Sequence, residues 1–410
     1  MEIKKHTLDN GLKIAHAKVP GDVTYCGIAI AAGTRDENAD EQGMAHFVEH
    51  TIFKGTKRRK AWHILNRMEK VGGDLNAYTN KEETVIYSAL LNRDMERAVE
   101  LLCDIVFNSV FPQKELDKEK EVILDEIDSY EDSPSELIFD DFEELIFKGH
   151  PLGKNILGTP EKLKGYTTGD ALRFVSRLYK PNNMVLFARG NTDFGKLVRL
   201  AEKYAAHIPA GEIKRHGLEI PGYRPTTFRA QRNVHQTHIM IGTRGYNAYE
   251  DRRIPLYMIS NMLGGPGMNS RLNVELREKR GLVYNVEANI TSYTDTGVFS
   301  IYTATTPEDT DRCREIILKE LKKMREQKMS VTALESVKKQ LIGQICVASD
   351  NNENCALDMG KCILHYDEYD NKESLLSKIR AISAEDILET ANERLREEQL
   401  TTLIYDAQNE

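Results

Sequence analysis

No run in this 410-residue sequence approaches the roughly 18 to 20 apolar residues that a membrane-spanning helix needs. The N-terminus also lacks a secretory signal's apolar core, because Met1 to Lys5 leads straight into a strand-like alternation. Six cysteines (Cys26, Cys103, Cys313, Cys346, Cys355, Cys362) are scattered through apolar segments without a C-x-x-C pair. They read as reduced packing residues, which excludes a disulfide framework and a thiolate metal cluster. These absences are what a cytoplasmic chain with no membrane partner is expected to show, although a mature chain freed of a targeting segment would look the same. Neither sign of charge dominates: 56 basic against 64 acidic residues leave a net −8. No basic block is read as able to neutralise a phosphate backbone, so nucleic acid is not expected as a partner.

With 40% apolar and 29% charged residues, and Gly and Pro at 27 and 12, disordered and collagen-like classes are excluded. The length implies two or three domains at about 100 to 200 residues each, with two as the starting count. Alternating, strand-like patterns open the chain, with a turn at Asp9-Asn10-Gly11 and a second strand over 23–32. Helical periodicity follows over 41–53 and 61–71, strands over 75–79 and 84–90, and helices over 93–109, 113–131, 135–147 and 168–179. A strand at 184–189 and a helix at 194–206 complete the first half. Pro209, Gly211, Gly217, Pro221, Gly222 and Pro225 then mark a linker, 209–225, between domains 1–208 and 226–410.

The second half repeats the order of the first: a strand at 234–243, helices at 251–263 and 270–280, strands at 283–292 and 296–304, then helices from 307 onward. At an offset of 213, Asn76 falls on Asn289 and Val85-Ile86-Tyr87 on Val298-Phe299-Ser300. The predicted class is α+β, with two related domains of about 200 residues.

The sharpest local pattern is His46-Phe47-Val48-Glu49-His50, inside a helical stretch. Residues four apart on a helix share a face, so both imidazoles can reach one metal ion, with Glu49 beside them. The bland alternative is a solvated face with two unrelated histidines. A catalytic zinc needs a third protein ligand and an open position. Glu119 and Glu126 lie seven residues apart, two helical turns, and so share a face, but spacing alone does not select either from this acidic segment. Gly264-Gly265-Pro266-Gly267 lacks the Lys-Ser/Thr of a phosphate-binding loop and reads as a flexible loop.

Taken together, H-x-x-E-H, then E-x-x-V-I-L-x-E ending 76 residues after His50, resemble the pitrilysin/insulinase family of inverted zincins. Within it, the bacterial relatives of the mitochondrial processing peptidase are most similar. Further matching segments are Gly73-x-x-Asn76-Ala77-Tyr78-Thr79, His150-Pro151-Leu152-Gly153, Tyr179-x-Pro181-x-Asn183-Met184, Gly264-Gly265, and Ser270-Arg271-Leu272 running on to Arg277 and Tyr284.

The resemblance implies that His46, His50 and Glu126 hold one zinc ion per chain, that Glu119 supports them, and that Glu49 takes the proton of the zinc-bound water. It implies a substrate-pairing strand at Asn76, Ala77 and Tyr78, and a second-half contribution from Arg277 and Tyr284. A metalloendopeptidase acting on peptides or unfolded segments inside an enclosed chamber is expected. The family builds that clamshell from four such domains, so a two-domain chain is expected to work as a homodimer. The alternatives are a subunit needing a different partner chain and a non-catalytic scaffold.

Overall fold

The computed structural model describes residues 2–213, 215, 219–369 and 372–407. Its strands in chain order are β1 (Ile3–Thr7), β2 (Lys13–Lys18), β3 (Val23–Ile30), β4 (Asn76–Thr79), β5 (Thr84–Leu91), β6 (Met184–Gly190), β7 (Thr227–Arg232), β8 (Thr237–Arg244), β9 (Val283–Ser292), β10 (Gly297–Thr305) and β11 (Thr401–Ala407). Its helices are α1 (Met44–Thr51), α2 (Ala61–Glu69), α3 (Met95–Asn108), α4 (Gln113–Glu131), α5 (Pro134–Ile146), α6 (Pro160–Gly165), α7 (Thr168–Leu178), α8 (Phe194–Ala205), α9 (Arg253–Gly264), α10 (Thr310–Glu326), α11 (Val331–Ala348), α12 (Asn352–Tyr366), α13 (Lys372–Ala381) and α14 (Ala384–Arg394).

The chain divides into two compact units, each assembled from interleaved segments: Met1–Ser129, Lys154–Gly217 and Ser349–Asn371 in the first, the remainder in the second. The first unit is a sheet of order β1-β2-β6-β3-β5-β4, antiparallel except where β2 runs parallel to β6. Both faces are buried, and the period of two shows how. Cys26, Ile28 and Ile30 of β3 with Leu186 and Ala188 of β6 point into one core, beneath helices that include α1, α3 and α8. The intervening Ala29, Val185 and Phe187 point into another, which Ala356, Met359 and Ile363 of α12 close. Gly360 is what lets α12 lie so near: a Cβ there would stand 2.6 Å from the Phe187 ring.

The second unit is a sheet of order β7-β11-β8-β10-β9, with β11 parallel to β7 and the other pairs antiparallel. Its Ile239, Ile241, Phe299 and Ile404 face one core, while Met240, Val298, Leu403 and Tyr405 face a second that Ile138 and Phe142 of α5 fill. Apart from the extra edge strand β1, the two sheets share one topology: β2-β6-β3-β5-β4 matches β7-β11-β8-β10-β9. Register agrees too, because Asn76 pairs with Tyr87 as Asn289 pairs with Ser300, and both pairs are related by the offset of 213.

A cut at 209–225 would assign α5 to the first half and α12 to the second, whereas α5 belongs to the second unit and packs on its sheet, and α12 belongs to the first and packs on its sheet. Within the segment read as a linker, Ile213 packs on the first unit's core and Ile220 and Tyr223 on the second's, while Gly217 lies outside the described residues. Strand β11 departs from the helical pattern that the sequence carries from 307 onward. The helix expected over 270–280 is partly a π-helical turn, Asn273–Glu278. Gly264 is not in a loop but ends α9, where a Cβ would meet the Ala288 backbone at 2.6 Å. Of the cysteines, Cys26, Cys103 and Cys313 are buried, the other three half-buried, and all are free thiols.

Candidate metal centre

Helix α1 owes its position to a buried carboxylate. Gly43 takes a left-handed φ of 86° just ahead of the helix, where any Cβ would collide with Gly158. Glu37 then accepts hydrogen bonds from the backbone N–H groups of Gly43 and Ala45, both at 2.9 Å, which satisfies donors the first turn would otherwise leave open. Met44, Ala45, Phe47 and Val48 are buried in the core, so the other face carries His46, Glu49 and His50. In α4, Leu116, Ile123 and Ile127 are buried at spacings of seven and four. That anchoring brings Glu119 and Glu126 to the two histidines.

Nε2 of His46 lies 3.8 Å from Oε1 of Glu126, and Nε2 of His50 lies 3.5 Å from Oε2. One ligand atom from each of the three residues falls within 4.8 Å of the others. Tetrahedral ligands about 2.1 Å from a zinc ion sit about 3.4 Å from one another, so the observed separations suit zinc coordination. The donor set of two imidazoles and one carboxylate leaves a fourth position open, and the Glu126 side chain is 43% exposed. Burial, with the neighbouring His50 adding to it, pushes His46 down to about 3, so its ring is neutral and its lone pair is available at ordinary pH.

Burial would also depress His50, but the Glu119 hydrogen bond and the Glu126, Glu49 and Glu119 charges outweigh it and raise its pKa. Glu119 meets Nδ1 of His50 at 3.2 Å and Nζ of Lys54 at 2.6 Å. A carboxylate on the far nitrogen of a ligating imidazole fixes which nitrogen faces the metal. Burial raises the pKa of Glu49, against the opposing pull of Thr79 and of His50.

Thr79 ends β4, the outermost strand of its sheet, which among the described residues pairs with β5 alone. Helix α1 packs against β4, so the strand lies beside the histidines. The Asn76 side chain is exposed. Ala77 packs on the core that α1 covers, while Tyr78 packs on the opposite face. Arg277 and Tyr284 belong to the second unit, where the guanidinium lies 5.8 Å from the phenol ring and Tyr284 is 84% exposed. His150 is a structural residue: it is buried, and its Nδ1 accepts from the Leu152 N–H.

Glu37 and Lys54, which the sequence motifs do not include, also support the site, and Thr79 of the matching strand segment bears on Glu49. Lys54 was discoverable, because it sits four residues after His50 and so one turn along. Glu37 was not, since it caps the helix from seven residues before its first residue and through no recognisable capping box.

Among the described residues, the second unit has no copy of this cluster. At the offset of 213, His46, Glu49 and His50 fall on Ile259, Met262 and Leu263 of α9, all buried. Helix α9 packs on β9 as α1 packs on β4, so the corresponding helix is kept as scaffold without its ligands.

The family model described as insulinase (peptidase family M16) matches residues 13–160, and the one described as peptidase M16 inactive domain matches 166–341. The chain is 33% identical over 386 residues to a Rickettsia felis protein named as an uncharacterized zinc protease, covering 94% of this chain and 93% of that one. It is 30% identical over 409 residues to a Bacillus subtilis protein named as the uncharacterized zinc protease YmxG, covering 99% of both. Among solved structures, a protease from Helicobacter pylori shares the fold at a TM-score of 0.90 and 20% identity over 99% of both chains. A peptidase M16 inactive domain from Pseudomonas fluorescens does so at 0.92 and 18%, over 100% of this chain and 99% of that one. The chain thus belongs to the insulinase family of peptidases, M16.

Proposed function

We propose that this chain is a zinc-dependent metalloendopeptidase that hydrolyses peptides or unfolded segments. The observation that carries the reading is the convergence of His46, His50 and Glu126 next to Glu49 and the outer strand β4. Zinc bound by these three residues supplies a Lewis acid for the peptide carbonyl and an acidified water. The chain's own groups do the rest. Glu49, its pKa raised by burial, takes a proton from the attacking water and returns it to the leaving amine. Glu119 and Lys54 hold His50 in orientation. The outer edge of β4 pairs with an extended substrate through main-chain hydrogen bonds, which tolerates many side chains. Arg277 holds a substrate carbonyl, and the Tyr284 hydroxyl donates to the developing oxyanion.

In this reading the working enzyme is a homodimer that encloses a chamber of four such domains, admitting extended chains and excluding folded ones. The names of the relatives and the family membership support the peptidase. Replacing Glu49 with Gln tests the assignment: zinc should stay bound while hydrolysis of an unfolded peptide falls by about 10²- to 10⁴-fold. Loss of zinc in that variant, with zinc retained in Glu126→Gln, would reverse the roles of the two carboxylates.

A further inference from the structure

The chain between Arg277 and Tyr284 is irregular in a way that brings the two side chains together. Asn273–Glu278 forms a π-helical turn, in which the Lys279 N–H reaches back five residues to the Val274 carbonyl at 3.0 Å. Turns of this kind recur at functional sites. The chain then reverses through Gly281, at a left-handed φ of 61°, with the Gly281 N–H on the Arg277 carbonyl at 2.8 Å and the Leu282 N–H on the Leu276 carbonyl at 2.9 Å. Strand β9 starts at once with Val283, which places the Tyr284 ring beneath the Arg277 guanidinium.

Three cations crowd this turn, Arg277, Lys279 and Arg280, and one carboxylate sorts them. Glu275 accepts from Nζ of Lys279 at 2.6 Å and from Nη1 of Arg280 at 2.6 Å, and the same Nη1 donates to the Glu275 carbonyl at 2.6 Å. The bonds from Lys279 and Arg280 hold its carboxyl down at about 2, so Glu275 is charged at any ordinary pH. Arg277 is left out of this clamp. Among the described residues it makes no hydrogen bond, and its ion-pair contact is from Nε to Glu278 at 3.8 Å. Glu275 thus ties the residues on either side of Arg277 together, and it neutralises two charges that would otherwise repel the guanidinium.

We propose that Glu275 is a positioning residue for the peptidase reaction, given the roles proposed above for Arg277 and Tyr284. By binding Lys279 and Arg280 across the π-turn, it holds Arg277 over Tyr284 and leaves the guanidinium unpaired for a substrate carbonyl. It touches neither substrate nor metal. The first unit supplies the metal and its ligands, and Glu275 sets the geometry of what the second unit brings to the carbonyl.

The test is steady-state hydrolysis of an unfolded peptide by the zinc-loaded full chain, with Glu275→Gln, Arg277→Gln and the double variant. Arg277 and Tyr284 serve the carbonyl as it gains charge, so kcat should fall by about 10- to 100-fold in Glu275→Gln, while KM, zinc content and the melting midpoint change little. The double variant should be no slower than Arg277→Gln alone, because Glu275 acts through Arg277. Lys279→Gln/Arg280→Gln removes the clamp from its other side and should reproduce the loss. Wild-type kcat in Glu275→Gln, with Arg277→Gln impaired, would overturn the positioning role and leave the role of Arg277 standing. Losses that multiply in the double variant, or a kcat that falls only with the melting midpoint, would overturn it as well, by making Glu275 a support of the fold. Full activity in Arg277→Gln and Tyr284→Phe would overturn the roles of those two residues, and the positioning role with them.

Discussion

Around His50 a carboxylate and an ammonium act through one another: Lys54 holds Glu119, and Glu119 holds the imidazole. Glu119→Gln keeps the size of the side chain but removes its charge, so zinc affinity should fall by about 10- to 100-fold while the fold persists. Competition against a chromogenic chelator reads this, and unchanged affinity would show Glu119 to be a bystander. A second carboxylate acts on stability alone. Glu83 is buried, yet the His365 hydrogen bond at 2.9 Å and Lys361 at 3.1 Å overcome the cost of burial and hold its pKa down at about 2, against an ordinary 4.5. A depressed folded-state pKa means that this stabilisation is fully present above about pH 4.5 and is lost as pH falls toward 2. Glu83→Gln should therefore cost about 1–3 kcal/mol at pH 7, with the gap to wild type closing between pH 4.5 and 2 in urea titrations. A gap that stays constant over that range would rule Glu83 out. At this scale H-x-x-E-H was legible because helical spacing alone puts two imidazoles on one face. Glu126 required the resemblance, since its segment is full of acids and only folding brings one of them to the histidines.

Among the elements, α12 shows how a single glycine sets a packing distance. Gly360→Ala should stabilise the isolated helix by about 1 kcal/mol. It also drives a methyl group into the Phe187 ring, where overpacking costs about 1–3 kcal/mol. The second effect is expected to win, so the denaturation midpoint should fall, and a rise would mean that α12 can shift outward freely. Most strands were legible because they alternate, or because they form short apolar runs between turn residues. Strand β11 was not: Thr401-Thr402-Leu403-Ile404-Tyr405 follows a helical stretch, and its strand character comes from insertion between β7 and β8. The linker composition around 209–225 was visible, but the exchange of α5 and α12 was not. Amphipathic periodicity shows that a helix has an apolar face without showing which sheet will cover it.

For the molecule as a whole, the doubled sheet topology and the offset of 213 describe one ancestral pattern used twice, with the ligands on one copy. If the homodimer sets the second domain of one chain against the first domain of the other, Tyr284 acts on its partner's metal centre. A mixture of Glu49→Gln and Tyr284→Phe chains should then recover up to about a quarter of wild-type activity after random exchange. A mixture that exchanges subunits yet stays as inactive as its parents would place both groups in one chain. The measurement that bears most directly on the whole account is hydrolysis of an unfolded peptide of a few tens of residues, before and after the metal is stripped. The metal-free protein should be inactive, and zinc at one equivalent per chain should restore turnover. Full activity in protein shown by mass spectrometry to hold no metal would contradict the assignment of His46, His50 and Glu126.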